Sequence, residues 1–161
     1  ILKTSPDVVI NATAYTAVDK AEEEQEKAAV INHHAVANIA QTCRQLDCWL
    51  VHISTDYVFD GTSMVAYKEE DQTNPQSVYG HTKLMGEQAI QSSGCKHIII
   101  RTAWVFSEYG NNFLKTMLRL GTERSELSIV GDQVGCPTST KTLSIACWKL
   151  MQKVQSYGDE I

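Results

Sequence analysis

Three short apolar runs alternate with stretches of helical spacing, and that alternation limits the fold more than any other feature of the chain. The runs are Val8-Val9-Ile10-Asn11, Trp49 to Ile53 and His97 to Trp104. Each is rich in apolar and β-branched side chains, short for a helix and bounded by polar residues, so each reads as a buried strand. Strand and helix repeated in turn imply parallel strands joined by right-handed crossovers, an α/β doubly wound sheet. The carboxyl ends of such strands share one edge of the sheet, where these folds take up ligands. Here those ends carry Asn11 to Thr16, Thr55 to Tyr57 and Thr102 to Trp104.

Ile1 to Pro6 reads as the tail of a helix ended by proline. The acidic run Glu22-Glu23-Glu24 precedes a long helix, roughly Glu26 to Leu46, whose inward stripe is Val36, Ile39, Ala40, Cys43 and Leu46. A second helix opens at Tyr79, runs to about Ser92 and is stopped by Ser93-Gly94, after a polar surface loop from Lys68 to Pro75. Phe113 to Leu120 predicts a helix with Gly121 at its carboxyl end, and Leu127 to Val130 a fourth short strand. Thr140 to Val154 is amphipathic, with Leu143, Ala146, Cys147, Leu150, Met151 and Val154 on one side.

A length of 161 residues with 43% hydrophobic content suits one domain with a core. The formal charge of −5 has no basic cluster within it, which argues against nucleic acid as a partner. No apolar run reaches the ~18 residues of a membrane span and no signal peptide opens the chain, so a soluble, cytoplasmic protein is expected. The five cysteines are odd in number, far apart and form no Cys-x-x-Cys, while His33 and His34 lack ligand-spaced partners. Reduced thiols are expected rather than a zinc site or a disulfide frame.

The chemistry centres on Tyr79 and Lys83, which share one face of a helix at i,i+4 spacing. A free phenol titrates near pH ~10, and a cation on the next turn moves it toward neutrality. Thr55, at the end of the middle strand, can donate to a carbonyl oxygen while Tyr79 gives or takes the proton. Such Tyr-Lys pairs also arise by chance; the convergence of three strand ends on one sheet edge is what gives this one weight. Small residues in Asn11 to Thr16 suit either a close ligand or a plain tight turn. Asn32, one turn before Val36 on the inward stripe, needs partners for a buried amide.

Tyr79-x-x-x-Lys83 with Thr55 upstream resembles the active site of the short-chain dehydrogenase/reductases. The chain as a whole resembles a narrower family, the dTDP-4-dehydrorhamnose reductases. That resemblance rests on Asn11 to Glu22, Ser54 to Gly61, Val78 to Glu87, Arg101 to Phe106, Asn112-Phe113 and Asp132 to Thr138. It implies that Thr55, Tyr79 and Lys83 are catalytic and that Asn32 helps hold the lysine through water, unless that amide only satisfies nearby backbone. It implies NADPH or NADH against Ala12, Thr13, Ala14, Thr16, Tyr79 and Lys83. A dTDP-sugar would meet Val18, Asp56, Tyr57 and Trp104, although Trp104 also reads as a core aromatic. The reaction implied is reduction of dTDP-4-dehydro-L-rhamnose to dTDP-L-rhamnose. Some family members form homodimers through Mg2+ held by glutamates.

The chain departs from that family in one respect. Its nine glycines begin at Gly61, and no glycine-rich dinucleotide turn follows a first strand. The expectation is an internal fragment ending at Gly158-Asp159-Glu160-Ile161: a partial Rossmann-like doubly wound parallel sheet lacking its N-terminal βαβ dinucleotide-binding unit. Residues 1–161 would be the C-terminal part of one NAD(P)-binding domain, with part of a small substrate-binding region at about 105–140. Weak cofactor binding and self-association along the Val8–Asn11 edge are expected of it. Two rival readings are a sugar-nucleotide epimerase or dehydratase of the same superfamily, and a non-catalytic regulatory subunit with this fold.

Overall fold

Trp49–Thr55 (β2) is the middle strand of a three-stranded sheet, between Val8–Asn11 (β1) and His97–Thr102 (β3). β1 and β2 run parallel, with Val8 opposite Trp49 and Asn11 opposite His52. The Trp49 N–H donates to the Asp7 carbonyl at 3.0 Å and the Leu50 N–H to the Lys96 carbonyl at 2.9 Å, which fixes β2 from both sides. The three strands fall where the alternation places them. The structure is a computed structural model describing residues 1–157, so Gly158 to Ile161 lie outside the described residues. It divides into two units, Ile1–Arg101 and a second from Thr102 onward, and the sheet belongs to the first.

β2 is almost wholly buried, whereas Ile10 of β1 is 48% exposed. β1 has a strand on one side only, so it is a half-buried edge rather than the fully buried strand its composition implies. Ile1 to Pro6 makes a single turn, in which the Thr4 and Ser5 N–H groups both donate to the Ile1 carbonyl at 3.1 Å.

Between β1 and β2 the chain is helical almost throughout. Val18–Glu23 (α1) contains most of the acidic run, which forms a helix of its own and also lies directly ahead of the long helical stretch from Gln25 to Leu46. Gln25–Ala29 (α2) leads into a π-helical turn, Val30–His34, and then Ala35–Leu46 (α3). In the π turn the Ala35 N–H donates to the carbonyl of Val30, five residues back. Val36, Ala40 and Cys43 on α3 pack with Cys48, Leu50, Ile90 and Cys95 into the main core. Burying a Leu, Ile or Val side chain of this kind contributes about 1.5–3 kcal/mol. The five cysteines are free, and burial beside Cys48 pushes the Cys43 thiol up to about 12.

Val78–Ser93 (α4) connects β2 to β3 and turns an unusual face inward: Gly80, Thr82, Lys83, Gly86, Glu87 and Ile90. The two glycines are there for distance. A Cβ on Gly80 would collide with the Tyr57 carbonyl, and one on Gly86 with the Asn32 carbonyl. Only hydrogen fits at either place, so α4 lies directly on the π turn and on the loop after β2.

The second unit pairs Val105–Phe106 (β4) in parallel with Thr138–Ser139 (β5) and adds helices Phe113–Glu123 (α5) and Thr140–Tyr157 (α6). Gly121 lies inside α5, which ends only at Glu123. Leu127 to Val130 forms no strand: its residues are exposed and have no strand partner, and a run of four cannot hold an extended ladder alone. On α6, Cys147, Met151 and Val154 are buried, the side the amphipathic pattern selects.

Gly86→Ala should destabilise the protein by about 1–3 kcal/mol, because the π turn or α4 must move to admit a methyl group. Gly121→Ala meets nothing within 4 Å and should instead stabilise by up to ~1 kcal/mol. Urea denaturation of the two variants beside the parent checks both signs.

Candidate active site

Thr55 closes β2 and caps the short 3-10 turn Asp56–Val58, its Oγ1 accepting the Tyr57 N–H at 3.2 Å. The same hydroxyl donates to Asp56 Oδ1 at 3.2 Å. Tyr79 arrives from the first turn of α4. That turn is fixed by Ser77 Oγ, which accepts the Gly80 N–H at 3.1 Å, and by Glu22, whose carboxylate accepts the Val78 N–H at 2.8 Å. Both are N-terminal N–H groups that would otherwise lack partners. The outcome is a Tyr79 phenol close enough to the Thr55 hydroxyl to feel its polarity, with the Tyr57 ring edge-on to Tyr79 at 5.6 Å.

Burial is the main influence on the Tyr79 phenol and raises its pKa; the Thr55 hydroxyl lowers it, and nearby Asp56 and Tyr57 raise it. Burial also raises the carboxyl of Asp56. The Lys83 Nζ turns toward β2, donating to the Ile53 carbonyl at 2.7 Å and lying 3.3 Å from His52 Nε2. Burial lowers its pKa to about 8, with Glu87 acting the other way. An amine so placed carries less charge to lend to a phenol one turn away.

Asn32 sits in the π turn, buried, and its amide makes three hydrogen bonds. Its Oδ1 accepts the Tyr15 N–H at 2.8 Å, and its Nδ2 donates to the Tyr15 carbonyl and to Thr82 Oγ1, both at 3.1 Å. The side chain ties the loop after β1 to α4. In that loop Ala12, Thr13 and Thr16 are exposed, Ala14 and Val18 half-buried. These residues, with Thr55, Asp56 and Tyr57 at the carboxyl end of β2 and Tyr79 and Lys83 on α4, all belong to the first unit.

Trp104 belongs to the second unit. It is 46% exposed and adopts φ +46, a left-handed conformation that a bulky residue rarely takes. Its indole lies against Gly135, where a Cβ would meet the ring at 2.7 Å. A half-exposed ring held in a strained conformation is not a core aromatic.

Two buried polar residues escape the motif reading. His52 and Asn11 stand opposite each other on β2 and β1, joined at 3.1 Å, with His52 completely buried and touching Lys83. The available signal was a histidine within an otherwise apolar strand, three residues before Thr55. Beneath them Glu87, buried, accepts from Ser54 and from the Arg101 guanidinium at 2.7 Å. Among the described residues no group of three or more His, Cys, Asp or Glu is placed to hold a metal ion, and no helix is long and apolar enough to cross a membrane.

A parallel sheet wrapped by helices, with these side chains gathered at its carboxyl edge, is the Rossmann-like fold of the short-chain dehydrogenase/reductases. A family model described as "RmlD substrate binding domain" matches residues 1–159, and the chain belongs to that family. The dTDP-4-dehydrorhamnose reductase of Salmonella typhimurium is 51% identical over 144 residues, 89% of this chain and 48% of that protein. The enzyme of the same description from Escherichia coli is 50% identical over 139 residues, 86% of this chain and 46% of its own length. The crystal structure of a Bacillus anthracis dTDP-4-dehydrorhamnose reductase in complex with NADP superposes with a TM-score of 0.91 at 42% identity. It is covered over 54% of its length by 94% of this chain. The chain thus spans about half the length of the curated relatives it matches.

The burial of His52 has a measurable consequence for stability. Burial, with Lys83 nearby, lowers its pKa to about 3, against roughly 6.5 unfolded. Between those values the unfolded chain binds a proton that the folded one refuses. Stability is therefore whole above pH ~6.5 and falls by up to about 1.4 kcal/mol per unit as the pH drops toward 3. Urea denaturation at pH 7 and 4.5 should show that loss, and His52→Gln should reduce the difference between the two pH values.

Proposed function

We propose that the full-length protein carrying this chain reduces the C4 keto group of dTDP-4-dehydro-L-rhamnose to give dTDP-L-rhamnose. The observation that carries the reading is the meeting of the Thr55 hydroxyl and the Tyr79 phenol at the carboxyl end of β2, with the Lys83 amine one turn along α4. The names of the relatives, and the NADP in the Bacillus anthracis structure, support the substrate and cofactor classes.

A nicotinamide dinucleotide suits the residues present. The Lys83 amine has two partners, the Ile53 carbonyl and His52, which leaves it one N–H to offer a ribose hydroxyl. The exposed Ala12-Thr13 backbone, with Ala14 and Thr16, leaves room beside the end of β1. When bound, the cofactor supplies the hydride. Thr55 donates a hydrogen bond to the keto oxygen, and Tyr79 delivers the proton. The raised phenol suits that direction, because Tyr79 is then protonated at neutral pH and ready to act as an acid. Val18, Asp56 and Tyr57 receive the sugar nucleotide, the exposed Tyr57 ring offering a flat apolar face to a sugar, while Trp104 is assigned to the same substrate by the family resemblance alone.

Tyr79→Phe in the full-length protein should cut turnover by roughly two to four orders of magnitude while substrate binding changes little, since the ring remains. Near-normal turnover would remove Tyr79 from the chemistry. Trp104→Ala should raise the Michaelis constant for the sugar nucleotide and leave that for NADPH and the melting temperature almost unchanged. Steady-state kinetics beside a thermal melt separates this from a packing role, for which truncation costs about 3–5 kcal/mol.

A further inference from the structure

The bonds around Asn11 and His52 leave little freedom in where protons sit. Asn11 Oδ1 accepts two hydrogen bonds from Thr13, one from its backbone N–H at 3.1 Å and one from its hydroxyl at 2.7 Å. A backbone N–H can only donate, so the oxygen of the Asn11 amide must face Thr13 and its NH2 must face His52. His52 Nδ1, 3.1 Å away, then accepts, and the single ring proton belongs on Nε2. Nε2 lies 3.3 Å from Lys83 Nζ. Two donors cannot face one another there, whereas an uncharged amine can accept from Nε2–H and still donate to the Ile53 carbonyl.

We propose that His52, held as its Nε2-protonated tautomer by Asn11, is a positioning residue that favours the uncharged form of Lys83 and links the charge of that amine to the Thr13 loop. Turning the Asn11 amide over reverses the arrangement. Nδ1–H then donates to the amide oxygen, Nε2 accepts from a Lys83 ammonium, and the Thr13 N–H loses its acceptor. Whatever holds Thr13 from outside therefore makes the charged lysine easier to form. The titratable group acting on the pair is Glu87 on α4, with Arg101 of β3 bound to Glu87. Glu87 favours the ammonium, and burial opposes it. The consequence for catalysis rests on the reductase reading; the geometry does not.

Asn11→Asp is the discriminating variant. It keeps an oxygen facing Thr13 but replaces the donor at His52 with an acceptor. In labelled protein at pH 7, long-range proton–nitrogen spectra should show the His52 proton on Nε2 in the parent and Nδ1 protonated in the variant. The Lys83 side-chain titration, followed by carbon-13 at Cε, should rise by at least one unit in the variant. A parent ring protonated on Nδ1 overturns the proposal by itself, even if the variant does not fold. A rise in the Lys83 titration without a change at the ring also overturns it, because the new carboxylate would then act by charge alone. In the full-length protein the alkaline fall of kcat/KM should move up by the same amount. A protein with the expected ring state that turns over no dTDP-4-keto sugar upholds this inference and defeats the reductase reading instead.

Discussion

Two backbone carbonyls, those of Tyr57 and Asn32, lie so close to α4 that side chains are shut out, and the arrangement of the site depends on that approach. With glycine at 80 and 86, the helix lies flush on the π turn behind it and on the 3-10 turn beside it. The Tyr79 phenol then reaches Thr55, Lys83 reaches the Ile53 carbonyl of β2, and Thr82 reaches the Asn32 amide. A helix held one methyl group farther out would stretch all three. The precision of the cluster comes from backbone packing, and the polar side chains are placed by it.

That packing puts an ammonium-bearing and a carboxylate-bearing residue inside the protein, one turn apart on the same face. Each has its own solution. Glu87 is met by Arg101 and Ser54, a charge-assisted set that compensates for its removal from water. Lys83 has a carbonyl and a histidine beside it, so its charge is costly and burial lowers the pKa of its amine to about 8. One helix face thus holds a carboxylate bound tightly to a structural partner and an amine left responsive. The first fastens α4 to β3, and the second stands beside the phenol.

Much of this was legible in the sequence, for identifiable reasons. Val8–Asn11, Trp49–Thr55 and His97–Thr102 are β-branched runs between polar borders, and α4 is framed by Ser77 and Gly94, so their existence is a product of local chemistry. Thr55, Tyr79 and Lys83 were visible as a motif. The direction of the Lys83 side chain was not, because it is decided by a histidine thirty-one residues earlier on another element. The failed expectations have the same origin. Leu127 to Val130 has the composition of a strand without a strand to pair with, and Gly121 could stop α5 or lie within it, which its own residue type does not decide. The π turn left no mark in the pattern, since the stripe from Val36 to Leu46 begins only after it.

The π turn also gives the chain a sensitivity to length. A π turn is an α-helix carrying one surplus residue, and each residue rotates the helix on its amino side by about 100° relative to the helix on its carboxyl side. α2 packs Ala28 with Tyr15 and Ala21, while α3 packs Val36, Ala40 and Cys43 against β2, so one helical path serves two separate clusters. The surplus residue sets the phase between them, with Asn32 at the point of change. A single-residue deletion between Val30 and His34 would leave composition and propensity nearly intact, yet it would turn one of the two buried faces toward water. Substitutions along this stretch act on one side chain at a time; a change in residue count acts on the whole layer.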